Sequence, residues 1–188
     1  MRKLPQLQRI LDVLDYNPDS GIFTWKQRSE NIKNGKSWNI KHAGKQTGYK
    51  HYRNDKCISI TLCIDNISYP AHRIAWLIYY GYEPEKEIDH VNMDASDNRI
   101  LNLREADRSQ NECNKPVRSD NKLGIKGVSY DEKRNKYVVQ FKFKDIFIRK
   151  RVLTLKEAIQ LYKSLSIQYH KEFARYSEYS ESLKMERV

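Results

Sequence analysis

Cysteine is scarce in this 188-residue chain: Cys57, Cys63 and Cys113 are all there are. Their odd number, and the lack of any CxxC or Cys/His pairing at zinc spacing, argue against a disulfide scaffold and a structural zinc site. Three free thiols in a reducing compartment is the reading that fits. Long apolar runs are missing as well; none approaches the roughly 20 residues that a membrane span needs. The opening stretch MRKLPQLQRILDVL mixes charge into its apolar positions and lacks the apolar core and cleavage site of a signal peptide. The expectation is a soluble, cytoplasmic protein with no membrane partner. Hydrophobic content is low at 39%, but Trp, Tyr and Ile fall in periodic blocks, which predicts small cores and not disorder. The length suits one large domain or two small ones.

What the chain has in excess is positive charge, a formal +11. Its distribution is uneven. Residues 84–114 hold four basic and eight acidic side chains, a net −4, whereas residues 115–175 hold sixteen against six, a net +10. A basic block beside an acidic centre suits a protein that grips a polyanion with one part and performs metal-assisted chemistry with another.

Read in order, Leu4, Leu7, Ile10, Leu11 and Leu14 predict one amphipathic helix, stopped by the turn residues Asn17-Pro18-Asp19-Ser20-Gly21. Ile22 to Trp25 reads as a strand, and residues 26–56 as loops and short strands. Ile58, Ile60, Leu62 and Ile64 alternate into a hairpin that turns at Asp65-Asn66. Ala71 to Tyr80 reads as a buried helix ended by Gly81, although periodicity alone also admits a strand. Then Ile88-Asp89-His90 forms a strand, Asn92 to Asn98 a loop and Leu101 to Ala106 a second strand. Asp107-Arg108-Ser109-Gln110 is a capping box opening a helix to Asn114. After a polar linker, Val128–Tyr130, Tyr137–Phe143 and Ile146–Leu153 predict three strands. The capping box Thr154–Glu157 opens a helix whose stripe is Ala158, Leu161, Tyr162, Leu165, Tyr169 and Phe173.

The stretch from Ile88 to Asn114 concentrates the side chains that phosphodiester hydrolysis requires. Such a reaction needs a base for water and a cation for the phosphate and the leaving oxygen. His90 can be the base, because imidazole titrates near neutral pH. Asp89 and Asn111 offer the hard oxygen atoms that suit Mg²⁺ or Mn²⁺ and not zinc. Asn102 can tie loop backbone groups together and so hold the strand that carries His90.

These residues carry a resemblance. The segment YPAHRIAWLIYYGYEPEKEIDHVNMDASDNRILNLREADRSQNECN, residues 69–114, closely resembles the HNH endonucleases of the phage and homing type, whose active site is a ββα-metal unit. The resemblance implies that His90 is the general base and that Asp89 and Asn111 hold one divalent metal ion. It implies that Asn102 shapes the loop, and that the products carry 5′-phosphate and 3′-hydroxyl ends. Arg104 either touches a phosphate or braces the motif. His72 either contacts DNA or packs, and its place beside an apolar helix favours packing.

Residues 122–175 resemble the plant ethylene-response-factor (Apetala-type) DNA-binding domain, in LGIKGVSYDEKRNKYVVQF and EAIQLYKSLSIQYHKEFARY. In that domain a sheet enters the major groove. The resemblance implies DNA contacts from Lys126, Tyr130, Lys133, Arg134, Gln140, Lys142, Arg149 and Arg151. Tyr137 stands where that family favours Trp, and Arg151-Val152-Leu153 replaces its usual Leu-Gly-hydrophobic step.

The expected fold class is α+β: a ββα-metal HNH nuclease domain over 1–114, a linker over 115–125, a three-stranded antiparallel sheet packed on one C-terminal helix over 126–176, and a charged tail over 177–188. The expected function is a Mg²⁺- or Mn²⁺-dependent endonuclease that nicks double-stranded DNA as a monomer or weak dimer. The competing reading is a non-catalytic DNA-binding protein that retains an inactive nuclease fold. RNA fits less well, because an A-form major groove does not admit a sheet.

Overall fold

The apolar positions near the start form helix α1 (Leu7–Val13), but the backbone leaves the helical region at Leu14. Leu14 is nonetheless buried. It reaches the core from strand β1 (Leu14–Asn17), which pairs antiparallel with β2 (Ile22–Trp25). The expected helix is therefore too long at both ends, since Leu4 precedes it and Leu14 follows it, and the Asn17–Gly21 turn closes a hairpin instead of ending a helix.

The computed structural model describes residues 3–176; the charged tail expected over 177–188 lies outside the described residues. Two compact units divide between Ala106 and Asp107. In the first, the region expected to hold loops and short strands also contains a helix, α2 (Gly35–His42). It has no apolar stripe. The Asn39 carboxamide bonds both backbone groups of Arg28 at 2.8 Å, and Trp38 lies edge-on to Trp25 beneath the Arg28 guanidinium. Short strands β3 (Gln46–Thr47) and β4 (Tyr49–Arg53) follow. β5 (Lys56–Ile64) pairs with β6 (Ile67–Pro70), and Asp65 and Asn66 both take positive φ in the turn, as a two-residue hairpin turn requires.

Helix α3 (Ala71–Tyr80) buries six residues running from Ala71 to Leu77 and ends on Gly81 at φ +80°, so the strand alternative falls. Ile74, Trp76 and Leu77 pack with Ile10, Phe23 and Leu62 into one core, to which Ile88, Ile100 and Leu103 also belong. The residues beside the acidic centre are thus anchored in the scaffold. β7 (Glu87–His90) and β8 (Leu103–Ala106) form a two-stranded antiparallel pair.

The second unit begins with α4 (Arg108–Asn114), capped by the reciprocal Asp107–Gln110 box. β10 (Lys136–Phe143) is central, flanked by β9 (Val128–Asp131) and β11 (Ile146–Val152), both antiparallel. Helix α5 (Leu155–His170), opened by the Thr154–Glu157 box, covers one sheet face around Val128, Val139, Phe141 and Tyr162. Gly127 has φ +70°, and a Cβ there would lie 2.0 Å from the Tyr162 ring. No other residue fits that approach.

The buried stripe of α5 is rotated from the expected one. Ala158 and Tyr162 are buried, but so are Ile159, Ser166 and His170, while Leu161, Leu165 and Tyr169 lie at the margin. Phe173 is buried from a short turn beyond the helix. The His170 ring stacks on Phe141 at 4.7 Å, its Nδ1 is 3.0 Å from Ser166 Oγ, and its Nε2 has no hydrogen-bond partner among the described residues. Burial therefore pushes the imidazole down to about 4 from its ordinary 6.5. The unfolded chain takes up this proton near pH 6.5 and the folded one does not, so stability present above pH 6.5 is lost as pH falls towards 4. Urea unfolding should show about 1–3 kcal/mol of this loss, and His170→Leu should flatten that part of the curve.

Candidate active site

Strands β7 and β8 set Asp89 directly opposite Arg104, and His90 opposite Leu103. Cross-strand partners share a face, and here the guanidinium reaches the carboxylate through Nε at 3.0 Å and Nη2 at 2.9 Å, both to Oδ2. Asp89 is buried, so the pair is shielded from water and Arg104 braces the strand that carries the site.

Between the strands, residues 91–99 form a loop tied from within. Asn102, itself buried, accepts from the Asn92 amide through Oδ1 at 2.9 Å and donates through Nδ2 to the Asp97 carbonyl at 2.8 Å. One side chain thus joins both ends of the loop. Asp97 takes both Arg99 nitrogens at 2.8 and 2.6 Å, which holds its carboxyl down to about 2. The Ser96 hydroxyl and amide likewise lower Asp94.

His90 projects beside this loop. Its Nε2 lies 3.3 Å from Asn98 Oδ1, and the His72 ring meets it edge-on at 5.3 Å. A carboxamide oxygen can only accept, so Nε2 carries the proton and Nδ1 the lone pair. Burial lowers the His90 pKa, with the Asn98 bond and the nearby carboxylates pulling the other way. Burial also pushes His72 down to about 3. Both rings are neutral at physiological pH. His72 packs against the candidate base.

Two residues here escape sequence reasoning. Asn98 reads as an ordinary turn residue, yet it is only 2% exposed and orients the imidazole. Tyr16, from β1, donates to the Asn98 carbonyl at 2.7 Å. The density of Asn in the stretch hinted at the first; nothing local pointed to the second.

Asn111 lies on α4 in the second unit. Among the described residues no three His, Cys, Asp or Glu side chains gather into a metal cage. The single buried carboxylate that the first unit offers, Asp89, is of the kind that suits an ion such as Mg²⁺ or Mn²⁺, which takes one or two protein carboxylates and keeps several waters. It does not fit a closed zinc site.

In the second unit, register sorts the side chains named for DNA. Gln140 pairs with Arg149, Val138 with Arg151 and Lys142 with Phe147. Gln140, Lys142, Arg149 and Arg151 therefore share the face turned away from α5. Phe147, 57% exposed, joins them. Tyr130 is paired with Tyr137 and so faces the helix side, its hydroxyl bonded to Asn135. Lys133 and Arg134 lie in the β9–β10 turn, where Arg134 and Arg151 share the Asp131 carboxylate at 3.3 and 3.5 Å. Lys126 donates to the carbonyls of Cys113 and Lys115. Its ammonium binds the end of α4 within the unit and does not stand open to a polyanion.

Residues 69–113 match the family model for the HNH endonuclease. No curated protein and no solved structure matches the chain. The match marks this segment as an HNH endonuclease domain and supports a nuclease acting on DNA. It contains Asp89, His90, Asn98, Asn102, Arg104 and Asn111, but neither Tyr16 nor any part of the basic sheet.

Proposed function

We propose that the protein is a metal-dependent endonuclease that nicks duplex DNA, leaving 5′-phosphate and 3′-hydroxyl ends, and that its second unit binds DNA through the exposed sheet face. The observation that carries this reading is the oriented His90 imidazole. A neutral ring with Nε2 held by Asn98 presents Nδ1 as a base for an attacking water. Asn102 keeps the strand end and loop in register while the ring works. Arg104 holds the buried Asp89 carboxylate in place through Nε and Nη2.

Asp89 is the metal ligand that the first unit supplies; for Asn111, on α4 of the second unit, a ligand role is what the sequence resemblance alone implies. A Mg²⁺ or Mn²⁺ ion held at the Asp89 carboxylate would supply neutralising charge at the phosphate and at the departing 3′ oxygen. Sequence preference and most of the affinity come from the ethylene-response-factor-like sheet, in which Lys142, Arg149 and Arg151 share one face. A single nuclease motif cuts one strand per encounter, so the monomer nicks.

Supercoiled plasmid incubated with the protein and Mg²⁺ or Mn²⁺ should relax to nicked circles, with linear DNA appearing later, and EDTA should abolish both. Retarded migration of DNA with no cutting under any divalent ion would instead identify a non-catalytic DNA-binding protein.

A further inference from the structure

We infer that the β1–β2 hairpin, which lies outside the nuclease-matching segment, is a positioning element for His90, acting through Asn98. The inference rests on the nuclease reading for its consequence, but on geometry for its substance.

Three contacts from this hairpin converge on three consecutive residues. The Tyr16 hydroxyl donates to the Asn98 carbonyl at 2.7 Å. The Ile100 amide donates to the Pro18 carbonyl at 3.0 Å. At Gly21 the two chains come so close that an added Cβ would lie 2.5 Å from the Arg99 nitrogen and 2.6 Å from the Asn98 carbonyl carbon. Gly21 also has φ +71°, so both the turn and the approach require glycine.

The hairpin is itself stiff. Asn17 Oδ1 accepts from the amides of Asp19 and Ser20 at 3.0 Å, an arrangement that fixes the turn. The Tyr16 ring lies against Phe23 at 4.7 Å, and Phe23 is buried in the core. The backbone of residues 98–100 is thus clamped by a rigid partner, while the loop before it is held by Asn102 and by hydrogen bonds of its own.

The clamp determines where the Asn98 side chain goes. With its backbone fixed, Asn98 is almost wholly buried and its Oδ1 meets His90 Nε2. That contact selects the Nε2–H tautomer and aims the ring, leaving the lone pair on Nδ1. Tyr16 and Asn98 are therefore positioning residues: neither needs to touch DNA, and each acts on the reaction through the imidazole.

The test uses the full chain labelled with ¹⁵N-histidine, with long-range ¹H–¹⁵N spectra read beside single-turnover cleavage. Wild-type His90 should show the Nε2–H tautomer. Asn98→Ala should shift His90 towards a tautomer mixture and lower kcat by up to about 100-fold with KM little changed, the scale of a misplaced catalytic group. Asn98→Asp, which keeps the accepting oxygen, should restore the Nε2–H signature. Tyr16→Phe, which keeps the ring, should lower kcat by about 3–10-fold and perturb the His90 ¹⁵N signals. Should Asn98→Ala fail to fold, Tyr16→Phe carries the decision.

An Nδ1–H tautomer in the wild type would overturn the inference. So would a Tyr16→Phe protein whose His90 signals match wild type and whose kcat lies within twofold of it. Absence of metal-dependent cutting by the wild type would defeat the nuclease reading and leave the tautomer measurements standing.

Discussion

His90→Ala should lower single-turnover cleavage by about 10²–10⁴-fold, the range that one positioned acid–base group supplies, while DNA affinity stays within about twofold of wild type. The two halves of this expectation have separate physical reasons. The imidazole is half-buried and its pKa is pushed below the ordinary 6.5, so it carries no charge at neutral pH and contributes no attraction to phosphate. Its loss removes a proton acceptor and leaves the electrostatics of binding as they were. The same depressed pKa fixes the pH dependence. The working form is the neutral one, so wild-type cleavage should persist at pH 6.5, where an ordinary histidine is half protonated, and fall only as pH drops through the lower value. Anisotropy in calcium and gel-resolved cleavage in magnesium separate binding from cutting. Removal of the ring leaves Asn98 Oδ1 without its partner, at a cost of about 1–3 kcal/mol, so a thermal melt must show the variant folded at the assay temperature. A parallel loss of binding and cleavage would remove His90 from the role of base.

How far the sequence discloses this molecule depends on whether a feature is local. The capping boxes at Asp107 and Thr154, the positive-φ turn at Asp65-Asn66 and the glycine stop at Gly81 are written in a few adjacent residues, and the backbone follows them. Leu14 illustrates a different case: apolar spacing reports burial, and a residue can be buried from a strand as well as from a helix. Helix α2 was illegible because its support is not an apolar stripe but the Asn39 carboxamide and the Arg28–Trp38 stack, contacts across eleven and ten residues that no periodicity reveals. On α5 the buried face includes Ser166 and His170, polar residues joined to each other by one hydrogen bond, which break the hydrophobic pattern. The site divides in the same way. Density and spacing single out Asp89, His90 and Asn102 as candidates, whereas the link from Tyr16 to Asn98 spans 82 residues and exists only once the hairpin has docked.

Replacing Lys142, Arg149 and Arg151 together with alanine should weaken DNA binding on the order of 10²–10³-fold near physiological salt and flatten the salt dependence of binding by about three counterions. Register places these three cations on the sheet face turned from α5, where all three are exposed although Val138 beside Arg151 is buried, so each can meet a different phosphate as the sheet lies against a groove. Lys150 makes the control. It pairs with Val139, whose side chain lies in the core, and so stands on the opposite face; Lys150→Ala should change the slope by much less than one. The single variants should also rank. Arg151 shares the Asp131 carboxylate with Arg134, a partner it must give up to meet a phosphate, so Arg149→Ala should cost more than Arg151→Ala. Lys126→Ala should behave differently again. Its ammonium holds the carbonyls of Cys113 and Lys115, so its loss should appear as lowered thermal stability with the salt slope kept. Titrations by anisotropy at several salt concentrations distinguish these outcomes, and equal slopes for the triple variant and wild type would mean that DNA does not lie on this face. The cleavage chemistry is untouched in all of these variants, so at saturating protein the triple variant should cut at the wild-type rate, which ties holding to one set of residues and cutting to another.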